Sequence, residues 1–155
     1  MTPDVNVLVA AARSDHPHHG IARAWLEATF AEADSGVVCT LMPMVLASFL
    51  RLVTSPKIFQ RPTPVEEAIG FVDALLLLPG AQLAELGAEW KRFRQLCLDK
   101  DLSANEVPDA WLAAAVAQRG EHLVSFDRDF RKLLGRAQFT LLASSASPLL
   151  KVKPR

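Results

Sequence analysis

Apolar positions along the chain switch between helical and strand-like spacing. The opening "PDVNVLVAA" is a short apolar run that pattern alone leaves open between a strand and a buried helical turn. "DHPHHGIARAWLEATFAEA" predicts a helix. Asp15 and Pro17 supply a start signal, and Ile21, Ala24, Trp25 and Ala28 repeat at helical spacing. "GVVCT" predicts a short buried strand, and "PMVLASFLRLVTS" a helix that is apolar on most sides. "PKIFQRPTP" carries three prolines and predicts a loop within one domain. "VEEAIGFVDALLLL" predicts a further helix, and "GAQLAEL" a brief strand. "AEWKRFRQLCLDK" predicts an amphipathic helix with Trp90, Phe93, Leu96 and Cys97 on one face. That face is expected to pack on the core, with a contact to a second copy or a protein partner as the other reading. After the polar loop "DLSANE" come an alanine-rich helix, the strand "HLVSF", the short helix "RDFRKLLG" and a last strand "QFTLL". Strands alternating with helices imply an α/β three-layer sandwich, with a mainly parallel central sheet flanked by helices.

The chain has 155 residues, which suits one domain, and half of them are hydrophobic, enough for one buried core. The domain is expected over residues 1–143. Residues 144–155, with Lys151, Lys153 and Arg155, are expected to form a short disordered basic tail. No apolar run is long enough to span a bilayer, and the first residues lack a basic leader, so neither membrane nor signal peptide is expected. Cys39 and Cys97 are read as two buried free thiols in a reducing cytoplasm. The formal net charge is zero, which excludes a generic nucleic-acid sponge and leaves only local basic patches. With no Tyr and three Trp, stacking platforms for single strands are not conspicuous.

The chemistry lies in acids that bracket the apolar elements. In "VPDAWLAAAVAQRGEHLVSFDRDF", Pro108 suits the first turn of a helix and Gly120 its stop. A helix over residues 108–119 is about 18 Å long. A strand over 122–126 is about 17 Å long. The helix therefore runs back along the sheet as far as the strand runs forward, and Asp109 and Asp127 finish at the same edge. That edge, at the strands' carboxyl ends, is where open α/β folds bind ligands. If residues 1–3 are a strand stub and Val5 opens a helix, Asp4 joins them. Three carboxylates repel one another unless a cation neutralises them. Hard oxygens suit Mg²⁺ or Mn²⁺ with waters completing the shell, which favours phosphodiester hydrolysis. Each acid also has an ordinary reading. Asp109 favours a helix dipole, Asp127 can cap "RDFRKLLG", and Asp4 can simply end a strand. Asp129 reads as a first-turn acid of the short helix.

"PDVNVLVAA", paired with the later "VPDAWLAAAVAQRGEHLVSFDRDF", resembles the PIN-domain ribonucleases, specifically the VapC-type toxins of toxin–antitoxin pairs. "DHPHHGIARAWL" and "MVLASFLRLVTSP" are similar to that group's connecting helices, so the resemblance covers about residues 1–142. It implies a Mg²⁺- or Mn²⁺-dependent endoribonuclease whose products end in 5′-phosphate and 3′-hydroxyl. It also implies a homodimer neutralised by a cognate antitoxin. The family's three acids fall on Asp4, Asp109 and Asp127, as catalytic residues and metal ligands. Asn6 and Ser125 fall where polar residues stand beside those acids, and are assigned hydrogen bonds that orient the carboxylates. One position departs from the pattern: the Glu usual in the helix after the second strand is Ser48 here. A hydroxyl cannot replace a carboxylate's charge, although it can hold a metal-bound water. Glu106 is a weak substitute, and Asp99 and Asp101 read as loop acids.

Arg13, Arg51, Arg128 and Arg131 are the candidate RNA-binding residues, with Lys132 and Arg136 beside the last two. "HPHH" crowds His16, His18 and His19 without a supporting Cys or His at zinc-ligand spacing, and is read as a polar lead-in to a helix. Neither a G-x-S-x-G elbow nor a Gly-rich phosphate loop occurs. Two rivals to the nuclease stand. One is a catalytically weak module that binds RNA or an antitoxin, motivated by Ser48. The other is a phosphatase using Asp4 as nucleophile, in the manner of haloacid-dehalogenase-like enzymes. Those need a second Asp two positions on, where Asn6 stands.

Overall fold

Thr2–Pro3 form strand β1 and Val5–Ala12 form helix α1, so the opening apolar run is both a strand and a helix, divided at Asp4. The computed structural model describes residues 1–143, and the expected basic tail lies outside the described residues. Asp4 is the N-cap of α1: its backbone is extended and its carboxylate accepts the Val5 N–H at 2.6 Å. Val7, Leu8, Val9, Ala10 and Ala11 are all buried, so α1 is a core helix.

The remaining strands are β2 (Cys39–Leu41), β3 (Ala81–Leu83), β4 (Leu123–Ser125) and β5 (Phe139–Leu141). Every registered pair is parallel: β4 lies between β1 and β5, and β2 pairs with β3. The Thr40 N–H donates to the Met1 carbonyl at 2.8 Å, and the Met1 amino group donates to the Val38 carbonyl at 2.7 Å. These bonds join the two sheets in the order β3-β2-β1-β4-β5. The expected α/β sandwich with a parallel sheet is thus what the chain forms. Strands β2 and β4 are buried at every position, as parallel strands covered by helices must be.

The other helices are α2 (His19–Ala31), α3 (Pro43–Val53), α4 (Val65–Leu76), α5 (Trp90–Lys100) and α6 (Glu106–Gln118). Helix α1 packs on α2 and α3, α3 on α4, and α5 on α6. In α6, Ala110, Ala113, Ala114 and Ala115 are all buried among Leu112 and Val116. Small side chains let this helix pack closely on nearly every side. Gly120, at φ +64°, turns the chain back towards β4 in a conformation that favours glycine. Gly80, at φ +80°, is more constrained still. A Cβ there would stand 2.8 Å from the Ala33 Cβ, while the Gly80 carbonyl accepts the Cys39 N–H at 2.8 Å.

Several sequence expectations need correction. Helix α6 begins two residues before Pro108, because a proline at the third position still falls in the first turn, whose N–H groups have no helical partner. Helix α2 begins at His19 rather than near Asp15, and buries Ala22, Leu26 and Thr29, whereas Ala24 and Ala28 are exposed. Alanine carries too little apolar area to fix a helix face by itself, so packing against α1 decided it. "RDFRKLLG" forms a 3-10 turn over Arg128–Lys132, not an α-helix. Helix α5 only borders the core: Leu96 packs against it, but no residue is fully buried, Cys97 is half-buried, and Trp90 is 61% exposed. Its main neighbour is α6, so it lies outside that helix. Cys39 is buried, and burial pushes its thiol up to about 11; both cysteines are free.

Candidate active site

The parallel register sets Pro3 opposite Val124, so the next residues, Asp4 and Ser125, meet at the carboxyl ends of β1 and β4. The Asp4 N–H donates to the Val124 carbonyl at 2.9 Å and closes the ladder there. Beyond it, the Ser125 hydroxyl donates to Asp4 Oδ2 at 2.7 Å. Asn6, in the first turn of α1, donates from Nδ2 to Ser125 Oγ at 2.9 Å. Its Oδ1 accepts the Phe126 N–H at 3.2 Å. The Asp127 N–H also donates to Ser125 Oγ, at 2.9 Å. One hydroxyl thus gives its single proton to Asp4 and accepts from two N–H groups, its whole capacity. Ser125 bonds the Asp4 carboxylate directly, whereas Asn6 reaches it only through Ser125.

Asp4 and Asp109 line one cavity of about 570 Å³, together with half-buried Ser48 from α3. Asp4 is only 5% exposed. Burial pushes its carboxyl up to about 6, against the bonds from Ser125 and Val5, and repulsion from Asp109 and Asp127 adds to the rise. Asp109 is half-buried and also raised, by burial first and then by Asp127, Asp129 and Glu106. The three acids therefore share one edge closely enough to feel one another's charge. None of the four salt bridges among the described residues reaches any of them.

The direct three-carboxylate cage expected from sequence is not formed. Among the described residues, no three His, Cys, Asp or Glu side chains stand close enough together to hold a metal ion. Asp4 and Asp109 share the cavity, whereas Asp127 spends Oδ1 on the Asp129 N–H at 2.8 Å, capping the 3-10 turn. A pair of carboxylates still suits Mg²⁺ or Mn²⁺, which commonly take one or two protein carboxylates and keep several waters. The donor set fits such an ion: a buried carboxylate with no cationic partner among the described residues, in a cavity that a second carboxylate also lines.

Residues 1–134 match the PIN domain family. The chain belongs to the PIN domain family. It is 41% identical over 130 residues to ribonuclease VapC31 of Mycobacterium tuberculosis, covering 83% of this chain and 89% of the relative. Ribonuclease VapC25 of the same organism is 40% identical over 130 residues, with the same coverage. The crystal structure of VapBC2 from Rickettsia felis, bound to a DNA fragment from its promoter, superposes with a TM-score of 0.63 at 17% identity. That match covers 92% of this chain and 98% of the other. Mycobacterium tuberculosis VapC20, described as a Sarcin-Ricin loop cleaving toxin, gives a TM-score of 0.58 at 18% identity, over 84% and 92% of the two chains.

In this PIN domain the candidate RNA-binding arginines divide. Arg51, Arg128 and Arg131 are exposed; Arg131 borders a separate cavity of about 530 Å³ with Arg136 and Phe139. Arg13 is different, and its expected RNA contact is not supported. Its side chain is 10% exposed and pairs with Asp15 at 2.7 Å. It also donates to the Arg61 carbonyl and Thr63 Oγ1, and lies 3.9 Å over the Phe59 ring. A guanidinium so used pins the loop before α4 and has little left for phosphate. Asp129 pairs with Lys132 at 2.8 Å on the surface, and its charge is still felt at Asp109. The "HPHH" run forms the turn before α2, where His18 stacks on Phe126 with ring centroids 4.7 Å apart.

In the PIN domain, Trp111, Leu86 and Glu89 join the site without a sufficient signal in the sequence, and Phe93 joins it from the apolar face of α5. Trp111, Phe93 and Leu86 form the apolar wall of the cavity that holds Asp4 and Asp109. Glu89 is buried and receives the Trp111 indole N–H at 2.7 Å and the Gly87 N–H at 2.7 Å. Burial raises the Glu89 carboxyl, but these bonds outweigh it and hold the group below its ordinary value. The available signal was Trp111 two positions after Asp109, too short a spacing to place its ring without the tertiary contact.

Proposed function

We propose that this chain is a metal-dependent endoribonuclease that hydrolyses RNA phosphodiester bonds, as the toxin of a type II toxin–antitoxin pair. The observation that carries the reading is the pairing of buried Asp4 with Asp109 in one open cavity at the carboxyl edge of the sheet. It is supported by relatives at about 40% identity that are named VapC ribonucleases. Asp4 and Asp109 would hold Mg²⁺ or Mn²⁺, and Asp127 adds negative charge from the same edge. A cation so bound supplies an activated water and neutralises charge on the phosphoryl oxygen. Ser125 fixes the Asp4 carboxylate in one orientation, so little reorganisation is left for the reaction. In this reading a carboxylate of the pair, Asp109, would help to take the proton of the attacking water. Arg51, Arg128 and Arg131 are exposed and would serve as phosphate contacts. The working assembly in this reading is a homodimer in the cytoplasm, silenced by a cognate antitoxin.

Ser48 favours a second reading, a PIN module that binds RNA or an antitoxin and cleaves little, because it brings a hydroxyl where a carboxylate would add charge. Asp109→Asn separates the two. It removes one charge from a half-buried position and should leave the melting temperature equal or higher, while metal-dependent cleavage of RNA is lost. Cleavage by the variant at the parent's rate would remove Asp109 from the mechanism.

A further inference from the structure

The cavity that holds the two acids continues into a second one of about 450 Å³, and Leu86, Phe93 and Trp111 line both. Trp90 lies along the second. Its ring centroid is 5.8 Å from that of Phe93, which is 6.3 Å from that of Trp111. Three aromatic rings therefore run outward from the carboxylates in a continuous line. They are also accessible: Trp90 is 61% exposed and Trp111 37% exposed. Leu96 is the α5 side chain that packs against the core, so an exposed tryptophan at the start of that helix is not explained by core packing.

Two further features give this line a ligand chemistry. First, Trp111 is held in place: its indole N–H ends on the buried Glu89 carboxylate, itself fixed by the Gly87 N–H. A charge-assisted bond of this kind orients a ring firmly. Second, α5 interleaves the aromatics with cations in the run "WKRFR". Arg94 is one helical turn from Trp90 and so shares its side of the helix. Lys91, Arg92 and Arg94 are all exposed, and none joins a salt bridge among the described residues. Rings for bases, next to cations for phosphates, make a path for a single strand.

We propose that Trp111, Phe93 and Trp90 form a stacking track for the bases of single-stranded RNA on one side of the scissile phosphate, with Arg94 beside it on the backbone. Glu89 is a positioning residue that acts through Trp111. The proposal deepens the ribonuclease reading and rests on it. An apolar segment of a protein partner is the competing occupant, but the cations beside the rings and the shared cavity with the acids fit a polyanion better.

The test is RNA binding in EDTA, where binding is read without cleavage. Fluorescence anisotropy compares a short mixed-sequence single strand with the same strand bearing abasic residues. The parent should prefer the strand with bases. Trp111→Ala and Trp90→Ala should each weaken its binding about 5- to 100-fold, with little change for the abasic strand, consistent with base–aromatic stacking energies. Trp90 is so exposed that its removal should not impair folding, which covers the case of an unstable Trp111 variant. Trp111→Phe should retain most of the preference, and Arg94→Ala should lower the salt dependence of binding by about one counterion. Unchanged preference for bases in both alanine variants overturns the track, while Asp109-dependent cleavage would still stand. Equal binding of the two strands by the parent also overturns it, as does displacement from Trp111 by an apolar peptide alone.

Discussion

Ser125 donates its hydroxyl to Asp4 across the β1–β4 junction at 2.7 Å, although the two residues are 121 positions apart. The same oxygen receives the N–H of Asp127 and the amide of Asn6. One small side chain thereby fixes the most buried acid of the site and ties it to the loop that carries another.

Ser125→Ala leaves the Asp127 N–H and the Asn6 amide without that acceptor and removes the donor from Asp4. Loss of such orienting partners typically weakens metal affinity about 10- to 100-fold. The same order is expected here, measured by Mn²⁺ titration calorimetry. Thermal stability should fall by about 1–3 kcal/mol, since the site is buried. Mn²⁺ affinity equal to the parent's would show that Asp4 is oriented by α1 alone.

Asp4 makes the metal-free protein sensitive to pH in a definite direction. Its folded carboxyl is at about 6, against an ordinary 3.8, so the fold favours the protonated form. That contribution is fully present below 3.8 and disappears as pH rises through about 6, for a loss of about 3 kcal/mol. Denaturant melts of the parent in EDTA should show it between pH 4 and about 6. Asp4→Asn should show a flatter profile and be the more stable protein at neutral pH. Parallel profiles for the two would contradict the burial argument.

Ser48→Glu brings a third carboxylate to the cavity that Asp4 and Asp109 line. Without metal it should lower the melting temperature through repulsion. With Mn²⁺ it should bind the ion more tightly and cleave RNA faster. A variant with tighter ion binding and no faster cleavage would mean that the parent's site is already complete for catalysis.

Gly80→Ala tests the close approach between the start of β3 and Ala33. The added Cβ meets the Ala33 Cβ at 2.8 Å and requires a left-handed backbone that alanine disfavours. A loss of about 1–3 kcal/mol is expected from strain and overpacking, read by chemical denaturation. Activity per folded molecule should change less than stability, because Gly80 is not among the residues that line the site cavity. A variant as stable as the parent would mean that the residues around Ala33 yield easily.

Much of this protein was legible in its sequence because local chemistry wrote it there. Alternating apolar segments specified the parallel α/β fold and Gly120 specified the end of α6, whereas the apolar run around Asp4 left strand and helix open. Matching helix and strand lengths placed Asp109 and Asp127 at one edge. Those features depend on backbone geometry and on neighbours a few residues away. What only the tertiary structure decided were contacts between segments far apart in the chain. It turned the buried face of α2 by one position and left α5 at the margin of the core. It gave Arg13 to the Arg61–Thr63 loop and brought Asp4 and Asp109 to one cavity while Asp127 capped a turn. It also gathered two of the three tryptophans around one cavity, Trp111 reaching that of the acids, where composition gave no hint of a stacking surface. A side chain's periodicity states which way it points from its own helix. Whether that direction meets core, cation or solvent depends on which other element arrives there.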